Sequence, residues 1–248
     1  MTSSYHPPVA RLLTLGREPA TRRIWPDYRH LGLSARHVPE LVRVATDAAL
    51  LDAGGRSAAG WAPLHAWRAL GQLEAEAAVA PLLALLEREV DDGVVLDEIP
   101  VVLGMIGPAS LPAATLWLFD EGRDEQLRVA AGRILAEVAH EYPDRRDEAA
   151  AVLVQQLQDW PHQTPLLNAL LIADLVELQE VAAAPVMEAA YAAGAVDAAV
   201  FGDWEDVQID LGLLEERVTF DPRPVRGAPA KARRKAEKAA RKRNRRRK

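Results

Sequence analysis

The chain has 248 residues, 49% hydrophobic and 27% charged, enough to bury a sizeable core without cross-links. It contains no cysteine, which excludes disulfides, cysteine-bound zinc and thiol catalysis. No apolar run reaches the ~18 residues of a membrane span, and the opening Met1–His6 is polar, so the expectation is a cytoplasmic protein that meets no membrane.

The net charge of −6 hides a sharp division. Residues 231–248 hold five lysines and seven arginines against Glu237, a balance of +11, and they hold every lysine in the chain. Residues 1–230 carry 18 arginines and 35 acids, a balance of −17. An acidic body repels nucleic acid and a basic tail attracts it, so the two parts invite different partners.

Strand signals are scarce; Ala, Leu, Glu and Arg dominate, and all four favour helix. Residues 1–60 read as an N-terminal helical cap. An apolar helix is predicted near Val9–Leu15, then an Arg-rich, Pro-broken stretch, then a helix over about Pro39–Leu51 with Leu41, Val44, Ala45 and Ala48 on one face. Asp52-Ala-Gly-Gly-Arg-Ser57 ends that helix.

Four helix pairs follow between Trp61 and Gly194. The first carries Leu64, Trp67, Leu70 and Leu73 behind Pro63, then Val79, Leu82, Leu83 and Leu86. The second opens near Val94 with Ile99, Val102, Leu103 and Ile106, breaks at Gly107-Pro108, and resumes over Leu111–Phe119. The third aligns Leu127, Ala131, Ile134 and Val138, breaks at Tyr142-Pro143-Asp144, and resumes with Ala149, Val152, Leu153 and Leu157. In the fourth, Thr164 is the N-cap and Pro165 follows it. Leu167, Leu171, Leu175 and Leu178 form its first stripe, and Val186, Met187, Ala190 and Tyr191 its second. Leu70-Gly71 recurs as Leu103-Gly104, 33 residues on, and Leu135-Ala136 follows 32 later. A two-helix repeat of this length cannot bury its apolar stripe alone; stacked neighbours can, which predicts an all-α solenoid over 61–220 closed by a capping helix. In that helix Asp203 is the cap, Trp204, Val207 and Leu211 face inward, and Gly212 is the stop. Residues 221–248 are a Pro-rich linker and a basic tail with no apolar face, expected to be disordered when free.

Two stretches carry a resemblance. Ala69-Leu-Gly-Gln-Leu-Glu-Ala-Glu-Ala-Ala-Val-Ala-Pro-Leu-Leu-Ala-Leu-Leu86 resembles the HEAT-like repeat of phycobilisome lyases. Asp124-Glu-Gln-Leu-Arg-Val-Ala-Ala-Gly-Arg-Ile-Leu135 is similar to the charged, Arg-bearing opening of the same repeat. The likeness covers roughly residues 61–195. With Trp25-Pro-Asp-Tyr28, Trp61-Ala-Pro-Leu-His-Ala-Trp67, Gly202-Asp-Trp-Glu-Asp-Val-Gln208 and the basic tail, the whole chain resembles a group of bacterial HEAT-repeat proteins of undefined role. The resemblance implies a helical solenoid; a fold alone carries no function.

The tail is the strongest functional signal. Its cations are Lys231, Arg233, Arg234, Lys235, Lys238, Arg241, Lys242, Arg243, Arg245, Arg246, Arg247 and Lys248. They can neutralise phosphates and release counterions, giving sequence-blind, salt-sensitive binding to RNA, the ribosome or another polyanion. The tail has no aromatic residue for base stacking, and no leucine for an amphipathic membrane helix. Its other readings are self-association or folding back onto the acidic body, and a solvated tail with no specific role.

In the body, Asp203, Trp204, Glu205 and Asp206 form a candidate site for a basic peptide of a partner protein or for a hard metal, with the tryptophan as anchor, set against a plain capped helix; metal ligation needs more oxygens than this stretch offers. Asp174 lies among Leu171, Ile172, Leu175 and Val176, where it reads as a hydrogen-bonded or surface carboxylate. The six histidines, at 6, 30, 37, 65, 140 and 162, include no pair at metal-ligand helical spacing, and His65 reads as surface or core hydrogen bond. Only His140-Glu141 matches the His-Glu pairs of a HEAT-repeat di-iron hydroxylase. No Gly-rich phosphate loop and no Gly-x-Ser-x-Gly occurs. The sequence therefore predicts a non-enzymatic interaction scaffold without cofactor or metal, whose partner is a protein or peptide. The alternative is a nucleic-acid-processing HEAT-like enzyme of the DNA glycosylase type. Arg68, Arg88, Arg128 and Arg133 gathered on a concave face, beside Trp61, Trp67, Trp117 or Trp160, would favour it.

Overall fold

The computed structural model describes residues 4–17 and 25–219, so the basic tail and its expected disorder lie outside the described residues. Thirteen α-helices and no strand occur among them. No single helix among them is long and apolar enough to cross a membrane. The chain divides into two compact units, one ending at Ser110 and the other beginning at Leu111.

In the first unit, the apolar Val9–Leu15 segment is one 3-10 turn, Val9–Arg11, running into α1, Leu12–Leu15. The helix expected over Pro39–Leu51 is instead two: α2, Val38–Ala45, and α3, Ala48–Ala53. The break follows from Asp47, whose extended backbone and carboxylate cap a new helix by accepting from the Ala49 and Leu50 amides at 2.9 and 3.3 Å. An Asp with a free choice prefers such a cap to a helix interior, where its side chain competes with the backbone.

The first predicted pair is α4, Ala62–Gln72, and α5, Val79–Arg88; α6, Gly93–Ile106, opens the second. Helix α4 lies at the centre of the unit, against α1, α2 and α6, and is buried on every side from Ala62 to Gly71. Its Leu64, Trp67 and Leu70 join Val9, Leu12, Leu41, Val44, Ile99, Val102 and Leu103 in the core. Leu73 is only half-buried, because the helix has ended by then. A Cβ added at Gly71 would meet Met105 Sδ at 3.2 Å, so this glycine allows α4 and α6 to approach closely. Helix α6 continues through Pro100, although a proline there removes one backbone bond, a cost of about 3 kcal/mol in an isolated helix. Burial of Leu96, Ile99, Val102 and Leu103 around it offsets that cost.

In the second unit, α7 is Leu111–Phe119, α8 Glu125–Glu141, α9 Arg146–Gln158, α10 Pro165–Glu177 and α11 Ala184–Ala192. Two short helices follow, α12, Ala198–Phe201, and α13, Trp204–Asp210. Helix α8 is central, packed by α7, α9 and α10; α10 also meets α9 and α12, and α11 meets α13. Leu127, Ala131, Ile134 and Val138, the predicted stripe, are all buried, together with Leu153, Leu157, Leu171, Leu175 and Met187. Side-chain caps set the helix starts: Asp124 holds the Gln126 amide at 2.8 Å, and Thr164 holds that of Leu167 at 3.2 Å.

The local turns repeat. After α4, Glu74 takes a left-handed φ of 50°, and the Ala75 amide bonds back to the Leu70 carbonyl at 3.1 Å. After α10, Gln179 takes φ 54°, and the Glu180 amide bonds back to Leu175 at 2.9 Å. Both are Schellman endings built without the usual glycine. In addition, each of α5, α7, α9 and α11 is preceded by one 3-10 turn: Glu76–Ala78, Pro108–Ser110, Pro143–Arg145 and Val181–Ala183.

Candidate functional site

The acidic cluster at the start of α13 is built by local rules. Asp203 is extended and caps the helix: its Oδ1 accepts from the Asp206 amide at 3.2 Å, while Asp206 Oδ2 accepts from the Asp203 amide at 3.1 Å. This reciprocal capping box places both carboxylates, with Glu205, on the first turn, where the helix dipole favours negative charge. Trp204 is half-buried, its ring 6.0 Å from that of Tyr191 on α11. The expected cap, the inward Val207 and Leu211, and the glycine stop at φ 71° are all present.

The sequence reading missed the group that fills this cluster. After Gly212 the chain reverses and runs back along α13, bringing Arg217 to its first turn. The guanidinium donates to Asp203 and, at 2.7 Å, to Asp206 Oδ1, with Glu205 Oε2 3.6 Å from its Nε. The Thr219 amide and hydroxyl both donate to Glu205 Oε2, at 3.2 and 2.8 Å. A reversing glycine followed by an arginine at capping distance from three acids is a signal that could have found it. The cluster thus recognises a cation by fork geometry, and the cation present is the chain's own.

The other singled-out residues have local partners. His65 is fully buried; its Nε2 faces the Gly16 carbonyl at 2.8 Å and its Nδ1 the Tyr28 hydroxyl at 2.7 Å. Since a carbonyl only accepts, Nε2 carries a proton, and in the neutral ring Nδ1 then accepts from Tyr28. Nearby, Gln72 accepts from the Tyr28 amide and donates to the Pro26 carbonyl, both at 2.9 Å, so α4 holds the segment around Tyr28 by polar bonds. His65 is therefore a core hydrogen-bonding residue.

Arg68 is 1% exposed and makes a two-point pair with Glu98, at 2.7 and 3.0 Å, under the Trp25 ring 4.3 Å away. Arg88 bonds Glu89 at 2.9 Å, Arg128 donates to the Leu118 carbonyl at 2.9 Å, and Arg133 pairs with Glu137 and, at 3.0 Å, with Glu177. Trp67 is buried and donates to the Ala45 carbonyl at 2.8 Å; Trp117 is covered by Arg123 at 4.2 Å, and Trp61 by Arg17 at 5.8 Å. Asp174 is 1% exposed and sits against Gly132, whose Cβ position lies 3.4 Å from Asp174 Oδ2. Among the described residues, no three His, Cys, Asp or Glu side chains converge as a metal site requires.

Among the described residues, the His162 ring and the Glu40 carboxyl are shifted from their ordinary range. The hydrogen bond from His162 to Asp159, at 2.6 Å, raises the His162 ring above the usual histidine value, with the Asp159 and Glu121 charges adding to it. Burial pushes the Glu40 carboxyl up, but the His6 amide and ring, with the charges of His6 and Arg43, outweigh this and hold it below the usual range. The twelve cations of 231–248 lie outside the described residues. Comparison of the chain with protein-family models, with curated proteins and with solved structures found no match in any of the three.

Proposed function

We propose that this chain is a non-enzymatic scaffold of HEAT-like helix pairs, whose acidic body receives a protein or peptide and whose basic tail tethers it to RNA, the ribosome or another polyanion in the cytoplasm. The observation that carries the reading is the partition of charge: every lysine lies in 231–248, at +11, behind a body at −17. Such a division separates two binding tasks on one chain and makes the tail the segment that polyanions find most attractive over long range.

The repeat reading is supported by the recurring local architecture. A helix, a tight ending, one 3-10 turn and a second helix recur in sequence, with the same left-handed ending after α4 and α10. The state of the four arginines speaks against the glycosylase reading. Arg68, Arg88 and Arg133 each pair with a glutamate, the first of them buried, so three of the four charges are matched within the body, while Arg128 donates its Nε–H to a backbone carbonyl.

The test is truncation after Ala230. Fluorescence anisotropy with a labelled single-stranded RNA should show binding by the full chain at low salt and none by the truncated one. The helical circular dichroism should be nearly unchanged. Equal binding by the two proteins would refute the tail assignment and favour a nucleic-acid site on the body.

A further inference from the structure

We propose that Leu213–Thr219 is an electrostatic strap that closes over α13 and is released by salt. It stands independently of the tail's ligand. The strap starts where Gly212, at φ 71°, reverses the chain, and the Leu213 amide bonds back to the Gln208 carbonyl at 2.7 Å. From there it retraces α13 towards the helix start. None of the side chains from Glu215 to Thr219 is buried, and Val218 is 80% exposed, so no apolar contact of consequence anchors this end. What anchors it is polar: Arg217 on Asp203, Asp206 and Glu205, and Thr219 on Glu205.

This distribution makes the two ends respond differently. The Gly212 end is a helix-terminal turn of backbone bonds, insensitive to ionic strength. The Arg217 end is a partly exposed charge network, and the screening length falls from about 10 Å at 0.1 M salt to about 3 Å at 1 M. Salt therefore opens the strap from its Thr219 end while α13 stays folded, because the Asp203 cap bonds backbone amides and needs no guanidinium. Opening also moves the origin of the following segment: seven further extended residues add up to roughly 20 Å to the reach of the lysine-bearing region.

The test is amide solvent exchange by NMR on the full-length chain. The reporter is the Thr219 amide, whose acceptor is Glu205 Oε2. Between 50 mM and 1 M NaCl its exchange should accelerate about tenfold or more, the scale expected for a network of a few part-exposed ion pairs. Arg217→Gln should exchange at 50 mM as fast as the wild type at 1 M and lose the salt dependence, with the Val207 and Leu211 amides unchanged in both. Salt-independent exchange of Thr219 in the wild type, or an Arg217→Gln variant that retains wild-type exchange, would overturn the proposal. So would acceleration at Val207 and Leu211 alongside Thr219, since the helix itself would then be melting.

Discussion

Removing one partner of the buried Arg68–Glu98 pair should cost far more than removing both. Arg68 is 1% exposed and its guanidinium meets both carboxylate oxygens, at 2.7 and 3.0 Å, with the Trp25 ring 4.3 Å above it. In Glu98→Gln the geometry survives, but a desolvated cation loses the charge of Glu98, and breaking a buried pair in this way costs about 3–5 kcal/mol. The Trp25 face recovers part of this, about 1 kcal/mol for a partly desolvated cation, so a loss of roughly 2–4 kcal/mol is expected. Arg68→Met with Glu98→Leu removes both charges and keeps the volume filled, and such replacements run from neutral to stabilising by about 1–4 kcal/mol. Urea unfolding followed by circular dichroism, on the wild type, Glu98→Gln, the singles Arg68→Met and Glu98→Leu, and the double variant that combines these two, closes the cycle. The reasoning fails if Glu98→Gln costs less than about 1 kcal/mol, or if the double variant is as unstable as the sum of the singles.

Three further outcomes can be checked. Leu70→Ala and Leu135→Ala, each at a fully buried position, should each lower stability by about 2–5 kcal/mol in the same assay. Glu74→Gly should raise stability by about 0.5–1 kcal/mol, because glycine adopts the left-handed φ of 50° without the clash a Cβ brings. In an NMR titration, His162 should titrate above the usual histidine range, and Asp159→Asn should return it towards ordinary values. Because its folded value is raised, the stabilisation from this pair is complete below the unfolded value, near ~6.5, and fades as pH rises through the folded one.

Most of the helical order was legible from spacing. The stripes of Leu127, Ala131, Ile134 and Val138, and of Leu167, Leu171 and Leu175, face the core because period and apolarity coincide there. Thr164 and Asp203 were legible as caps because capping is decided within three residues. Asp47 obeys the same rule, yet the sequence stripe of Leu41, Val44, Ala45 and Ala48 masked it; in the structure the first three are buried, while Ala48, beyond the break, is exposed and leaves the stripe. What periodicity does not encode is which polar group meets which over a long separation. Arg68 reads from sequence as one of four arginines for a concave face, and spacing does not single out Glu98, thirty positions on; only their packing makes them a buried pair. Arg217 escaped notice for the same reason: its meaning lies in the reversal at Gly212, which returns it to Asp203. Likewise His65 became a core residue through Gly16 and Tyr28, neither of them on its own helix.

The central claim is that the division of charge is a division of labour, with polyanion binding assigned to the tail. The most direct measurement is the salt dependence of affinity for a single-stranded RNA, for the full chain and for the isolated 231–248 peptide. Counterion release predicts a linear fall of log affinity with log salt, about −0.7 per phosphate engaged, so several contacts give a loss of tenfold or more between 50 and 200 mM. The peptide should bind more tightly than the full chain, because the −17 body competes for the same cations. An affinity that is flat in salt, or a full chain that binds more tightly than its own tail, would contradict the claim.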